Sequence, residues 1–238
     1  NNSNGSDNTF VGMTSGFVNS PGSMNTFLGK GAGDSNTTAS SNTFVGALAG
    51  GANTTAANNT FVGANAGLLN STGTGNTFMG KGAGDANTTA HDNTFIGTDA
   101  GGSNVTGTGN TFLGTAAGDV NTASANTFLG ANAGGANTSA ADNTFIGTNA
   151  GLLNVTGVSN TFIGARAGDS NTASGNTFIG KDAGGANTAG TLNTFIGSNS
   201  GAGNSTSTKN TFVGASSGQV NTGELNTFIG ANSGVANT

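Results

Sequence analysis

The sequence predicts an all-β fold, a parallel β-solenoid (β-roll) of 14 coils with a 16–17-residue repeat, on three observations. First, the triplet Asn-Thr-Phe recurs 14 times in 238 residues, from the copy at Asn8 to the copy at Asn226. Second, its spacing is 17 residues, except for three spacings of 16 that begin at Asn110, Asn160 and Asn210. Third, each copy carries the same short strand signal, Asn-Thr-Phe-(Val/Leu/Met/Ile)-Gly, while no segment shows the i, i+3, i+4 pattern of a helix. A fixed short period of this kind marks units that bury their apolar faces only by stacking on one another. The repeat array is expected to run over residues 8–238 as a single domain, preceded by a polar leader over 1–7.

The columns of the repeat follow in order. Asn-Thr-Phe-Ile-Gly suits a strand of about five residues that enters a turn at its glycine. Side chains alternate along a strand, so Thr and the aliphatic residue share one face while Asn, Phe and Gly share the other. The Phe column never varies, which makes it the expected interior: Phe10, Phe27, Phe44, Phe61, Phe78, Phe95, Phe112, Phe128, Phe145, Phe162, Phe178, Phe195, Phe212 and Phe228. Its neighbour accepts Val11, Leu28, Met79 and Ile96 alike, and a long aliphatic stripe left in water would be an unusually large apolar patch. That column is therefore expected to mediate self-association, through Val62, Ile96, Ile146, Ile163, Ile179 and Ile196. Two glycine columns, such as Gly164 with Gly168 and Gly180 with Gly184, mark sharp turns or close backbone approach. A second Asn column runs from Asn19 to Asn237. Stacked amides can bond along it, and Asn tolerates left-handed backbone at corners. It is read as an asparagine ladder of Asn36, Asn53, Asn70, Asn87, Asn104, Asn121, Asn137, Asn154, Asn171, Asn187, Asn204 and Asn221.

Composition narrows the function. Glycine supplies 45 residues, charged residues only 6%, and the formal net charge is −5, so neither a conventional globular core nor a polyelectrolyte tail is indicated. Five Lys and Arg without a basic cluster give no footprint for nucleic acid or anionic lipid. No apolar run approaches a membrane span, so no membrane insertion is expected, and Asn1 to Phe10 lack the features of a signal peptide. There is no cysteine, hence no disulfide framework and no thiolate chemistry.

Several positions mimic sites. Asp34, Asp85, Asp119 and Asp169 recur at one corner, as in calcium-binding β-rolls, but lack the paired carboxylates of those turns and stand about three coils apart. Lys30, Lys81 and Arg166 fall in the same repeats as Asp34, Asp85 and Asp169, which favours solvated charge pairing over a metal. His91 and Glu224 are each the only residue of their type and have no catalytic companion. The GKGAG runs lack the Lys-Ser/Thr ending of a phosphate loop. N-x-S/T motifs at Asn36, Asn53, Asn70, Asn87, Asn104, Asn137, Asn154 and Asn204 are acceptors for glycans in a secreted protein, or arise by chance in so Asn- and Thr-rich a chain. No catalytic residue, cofactor or metal site is expected. The residue after the second glycine also runs Asp34, Gly51, Leu68, then Asp85, Gly102, a triplet pattern that can record gene duplication alone.

Asn160 to Gly168, NTFIGARAG, and its copies resemble the SVAIG-type head repeats of trimeric autotransporter adhesins, the YadA-like β-roll, with a longer period and Phe in place of a small residue. The Asn-, Thr- and Gly-rich style is also similar to stretches of bacterial surface proteins and phage tail fibres. The resemblance implies an extracellular or cell-surface rod that forms part of a fibre or adhesin. Its partners would be other copies of itself, as a homotrimer or an end-to-end filament, and a host-cell or matrix receptor. The alternative is an ice-binding β-solenoid, which the Thr column resembles, although that family carries two Thr columns.

Overall fold

A computed structural model describes residues 4–237; the first three positions of the expected leader and Thr238 lie outside the described residues. The chain is all-β, a parallel β-solenoid, and it divides into two compact units, Asn1–Thr122 and Ala123–Thr238. In the first, strands β1 (Thr9–Val11), β2 (Thr26–Leu28), β3 (Thr43–Val45), β4 (Thr60–Val62), β5 (Thr77–Met79), β6 (Thr94–Ile96) and β7 (Thr111–Leu113) pair in sequence order. In the second, β8 (Thr127–Leu129), β9 (Thr144–Ile146), β10 (Thr161–Ile163), β11 (Thr177–Ile179), β12 (Thr194–Ile196), β13 (Thr211–Val213) and β15 (Thr227–Ile229) do the same. Two shorter strands, β14 (Val220–Asn221) and β16 (Ala236–Asn237), pair beside them. All pairings are parallel and in register, so Thr stands over Thr and Phe over Phe.

Each strand of the Asn-Thr-Phe motif is three residues long rather than the expected five. The fifth position of the motif leaves the strand because its glycine takes a φ near +140°, as at Gly46 and Gly63 (φ 141° and 143°), a region barred to side chains. There the backbone of the next coil passes so close that a Cβ on Gly164 would lie 2.6 Å from the carbonyl of Gly180.

The Phe column fills the interior. Phe27 to Phe212 of that column are fully buried, whereas Phe10 and Phe228 are half-buried. Neighbouring rings within each unit stack at 4.7–5.0 Å and within 4–17° of parallel. A column of small residues, running from Ala32, Ala49 and Ala66 to Ser217, is also fully buried. The glycine after it, such as Gly151, leaves room for the ring: a Cβ there would lie 2.5 Å from Phe145.

Two Asn columns hold the corners. In the expected ladder, Asn53 Nδ2 donates to Asn36 Oδ1 at 2.7 Å and Asn187 Nδ2 to Asn171 Oδ1 at 2.6 Å. The same amides donate to the carbonyl oxygen three residues on, as Asn53 does to Ala56 at 3.0 Å. None of these residues takes left-handed backbone; the amide acts through its hydrogen bonds instead. The second ladder is the first Asn of the motif. Asn42 N donates to Asn25 Oδ1 at 3.0 Å, and Asn42 Nδ2 to Ala56 O at 2.9 Å. Asn143 Nδ2 is an exception, buried without a partner. Such satisfied amides substitute for the large core that a chain this rich in glycine cannot build.

The missing residue of a 16-residue coil is absorbed after the ladder Asn. Asn171 donates to Ala173 O, two residues on, where 17-residue coils reach three, while Thr161 still pairs with Thr177. Ser6 and Asp7, assigned to the leader, already follow the coil pattern: Ser6 O accepts from Met24 N at 2.9 Å, and Asp7 shares the positive φ of Met24.

Candidate functional site

Among the described residues there is no concave pocket, so the surface that the fold sets apart is flat. It is the outward face of the strands, where Thr and the aliphatic residue project from opposite sides of each buried Phe. Val62, Ile96, Ile146, Ile163 and Ile179 are half-buried and Ile196 is exposed. No Thr or aliphatic position of any strand carries charge.

The strand threonines differ from the other Thr and Ser column, which follows the ladder Asn. There the hydroxyls are consumed along the stack: Thr37 Oγ1 donates to Thr54 O at 3.0 Å and Thr172 Oγ1 to Thr188 O at 2.8 Å. Among the described residues no strand threonine hydroxyl makes a hydrogen bond within the chain. They form a row, spaced like the strands, free to bond outward.

Charged residues stand at the two edges of this face. Where strands end, Lys30, Lys81 and Asp99 lie in the first unit and Arg166, Lys181 and Asp182 in the second. Where strands begin, Asp7 and Asp92 lie in the first and Asp142 and Lys209 in the second. Many of these corners are left-handed without being glycine: Asp99 (φ 55°), Arg166 (φ 57°), Asp142 (φ 59°) and Lys209 (φ 59°), each costing about 1–2 kcal/mol of backbone strain. Sequence reasoning missed both corner columns, although their enrichment in Gly, Asn and Asp is the signal that identifies left-handed positions.

Arg166 pairs with Asp182 of the next coil, its NH2 2.6 Å from Oδ1, and not with Asp169 of its own repeat. Lys181 also contacts Asp182. Burial raises the Asp182 pKa, but the hydrogen bonds and charges of Lys181 and Arg166 outweigh it and leave the group below its ordinary value. Arg166 and Asp182 occupy the same repeat position in adjacent in-register coils, so stacking brings them together, whereas Asp169 stands three positions along its own coil.

The recurring Asp corner holds closer pairs than the three-coil spacing assigned to it. Asp85 and Asp119 are two coils apart and both lean over Gly102, where a Cβ would lie 2.8 Å from Asp119 Oδ1 and 3.6 Å from Asp85 Oδ1. The Asp-Gly-Leu alternation thus has a packing role, because Gly51 likewise sits under Leu68 and Asp34. Burial raises Asp85, Asp119 and Asp169 above their ordinary values. The carboxylates of Asp99 and Asp119 add to the rise at Asp85, Asp99 adds to it at Asp119, and Asp182 adds to it at Asp169. A carboxyl raised in the folded state adds stability below its ordinary range, and that stability is lost as pH rises through the folded value. Asp182 has the opposite sign, its contribution being lost as pH falls. Replacing Asp85 and Asp119 by Asn is therefore expected to flatten the decline in melting temperature between about pH 4 and pH 7 relative to the parent chain. An unchanged slope in parallel melts would contradict the burial of these two carboxyls.

The Asn residues of the N-x-S/T motifs are fully buried inside the ladder. A glycan on any of them requires that coil to open, so the folded chain presents none as an acceptor. His91 is exposed, its Nδ1 accepting from Thr74 N at 3.3 Å, and Glu224 is exposed far along the second unit. No family model, no curated protein and no solved structure matches this chain.

Proposed function

We propose that this chain is a structural element of an extracellular or cell-surface fibre or adhesin, and that its copies associate through the outward strand face. The observation that supports this most is the pair of uncharged, in-register columns, with the aliphatic side chains only half covered. Burying a half-covered Ile or Val against another copy gains roughly 25 cal/mol per Å² of apolar surface, and the gain repeats at every coil. A receptor on a host cell or in a matrix would then meet the edges and corner loops, where the sequence varies most. Placing Asp at Ile146, Ile163 and Ile179 is expected to dissociate the assembly, read by sedimentation, while β-type circular dichroism persists. Assemblies that survive all three substitutions would overturn the reading, and loss of the β-signal would place the column inside the coil.

The free strand hydroxyls support a second reading, ice binding, because a regular row of Thr hydroxyls and methyls can order water. Its weakness is the partner column, which is aliphatic where two Thr columns would be needed. Thermal hysteresis in the purified chain is the readout that favours it.

A further inference from the structure

The self-association proposed above leaves open how two copies face each other, and the edge charges address it. We propose that each unit docks face to face on the same unit of a second copy, with the two copies antiparallel and related by a two-fold axis through the unit's middle strand. The middle strand is β4 in the first unit and β11 in the second. A half-turn about it lays Thr on Thr and aliphatic on aliphatic. Free hydroxyls then meet hydroxyls and methyls meet methyls, whereas a parallel arrangement would bury each hydroxyl against an aliphatic side chain with no partner. Every step pairs in register, Thr over Thr and aliphatic over aliphatic, so both columns run unbroken along a unit and the match can extend with them.

The charges fit the same operation. In the first unit it exchanges β2 with β6, bringing Lys30, two residues past β2, opposite the partner's Asp99, three past β6. In the second it exchanges β9 with β13, bringing Asp142 opposite the partner's Lys209, each two residues before its strand. Both interactions occur twice by symmetry, and all four residues are exposed. Away from the axis strand, no other charge of this face lies directly opposite a like charge. Lys81 falls opposite Ala47 and Leu48, Asp92 opposite Met24, and Asp7 opposite Gly109. Arg166 faces Ser198 and Asn199, and Glu224 faces Ser124 and Ala125, whereas Lys181 and Asp182, just past the axis strand, face their own copies as a mixed pair with no net charge. Seven short strands give about 350 Å² per unit at ordinary strand dimensions, less than the roughly 800 Å² per partner of a stable complex. One unit alone should therefore bind weakly. Each chain carries two such faces, so it has two sites at which another copy can dock.

The test uses the full chain, whose lack of cysteine allows single thiols to be placed. Lys30→Asp should weaken association about tenfold in sedimentation velocity at low salt, and adding Asp99→Lys should restore it. Asp142→Lys and Lys209→Asp should behave likewise. A bismaleimide should link Lys30→Cys copies to Asp99→Cys copies. Association with no rescue by the swaps, and with links instead between Lys81→Cys and Asp92→Cys, would overturn the antiparallel arrangement and leave self-association standing. A parent chain that stays monomeric at all concentrations would overturn both.

Discussion

Phe145→Ala is expected to lower stability by roughly 3–5 kcal/mol, the cost of truncating a fully buried aromatic. Phe145 lies between Phe128 and Phe162, at 4.9 and 4.8 Å between ring centroids, and against the backbone of Gly151. The small column and the glycine offer no flexible side chain to collapse inward, and the two neighbouring rings are held in their own stacks. The missing ring therefore costs its own transfer energy and the stacking on both sides. Chemical denaturation of variant and parent measures the difference, and an unchanged midpoint would mean that the ring lies outside the core.

Gly164→Ala is expected to be as damaging, by about 3 kcal/mol or more, from two additive causes. The backbone there has φ 133°, which costs a side chain on the order of 1–3 kcal/mol. The added methyl would also lie 2.6 Å from the Gly180 carbonyl, a backbone group held in its turn by the hydrogen bond it accepts from Ala183 N at 3.2 Å. Gly185→Ala is the control. Its backbone is ordinary, and a methyl there would have its nearest contacts at 3.4 and 3.5 Å. It should change stability by no more than about 0.5 kcal/mol, or raise it slightly by restricting the unfolded chain. Equal melting curves for Gly164→Ala and the parent would show that neighbouring coils do not approach closely at this column.

The period, the parallel stacking and the ladder through Asn36 and Asn53 were legible because each is a column property, repeated 14 times in the sequence. Properties that depend on where the backbone turns were less so. The strand stops at its third residue because of the Gly46-type φ, which no residue pattern separates from a glycine kept for space alone. In the sequence Asn42 marks the strand's opening, and its ladder role shows only once the coils stack and its N donates to Asn25 Oδ1. Sequence proximity points Arg166 to Asp169, whereas stacking sets it against Asp182, its counterpart one coil on. The lean of Asp85 and Asp119 over Gly102 required the stacking geometry itself, since their carboxyls approach through a position that has no side chain.

The most direct measurement is the weight-average mass of the full chain by sedimentation equilibrium across a hundredfold range of concentration, with the Ile146, Ile163 and Ile179 to Asp variant alongside. Association through the strand face predicts that the parent's mass climbs with concentration while the variant, still β-structured, remains at the mass of one chain. A parent that holds the mass of one chain throughout would contradict it.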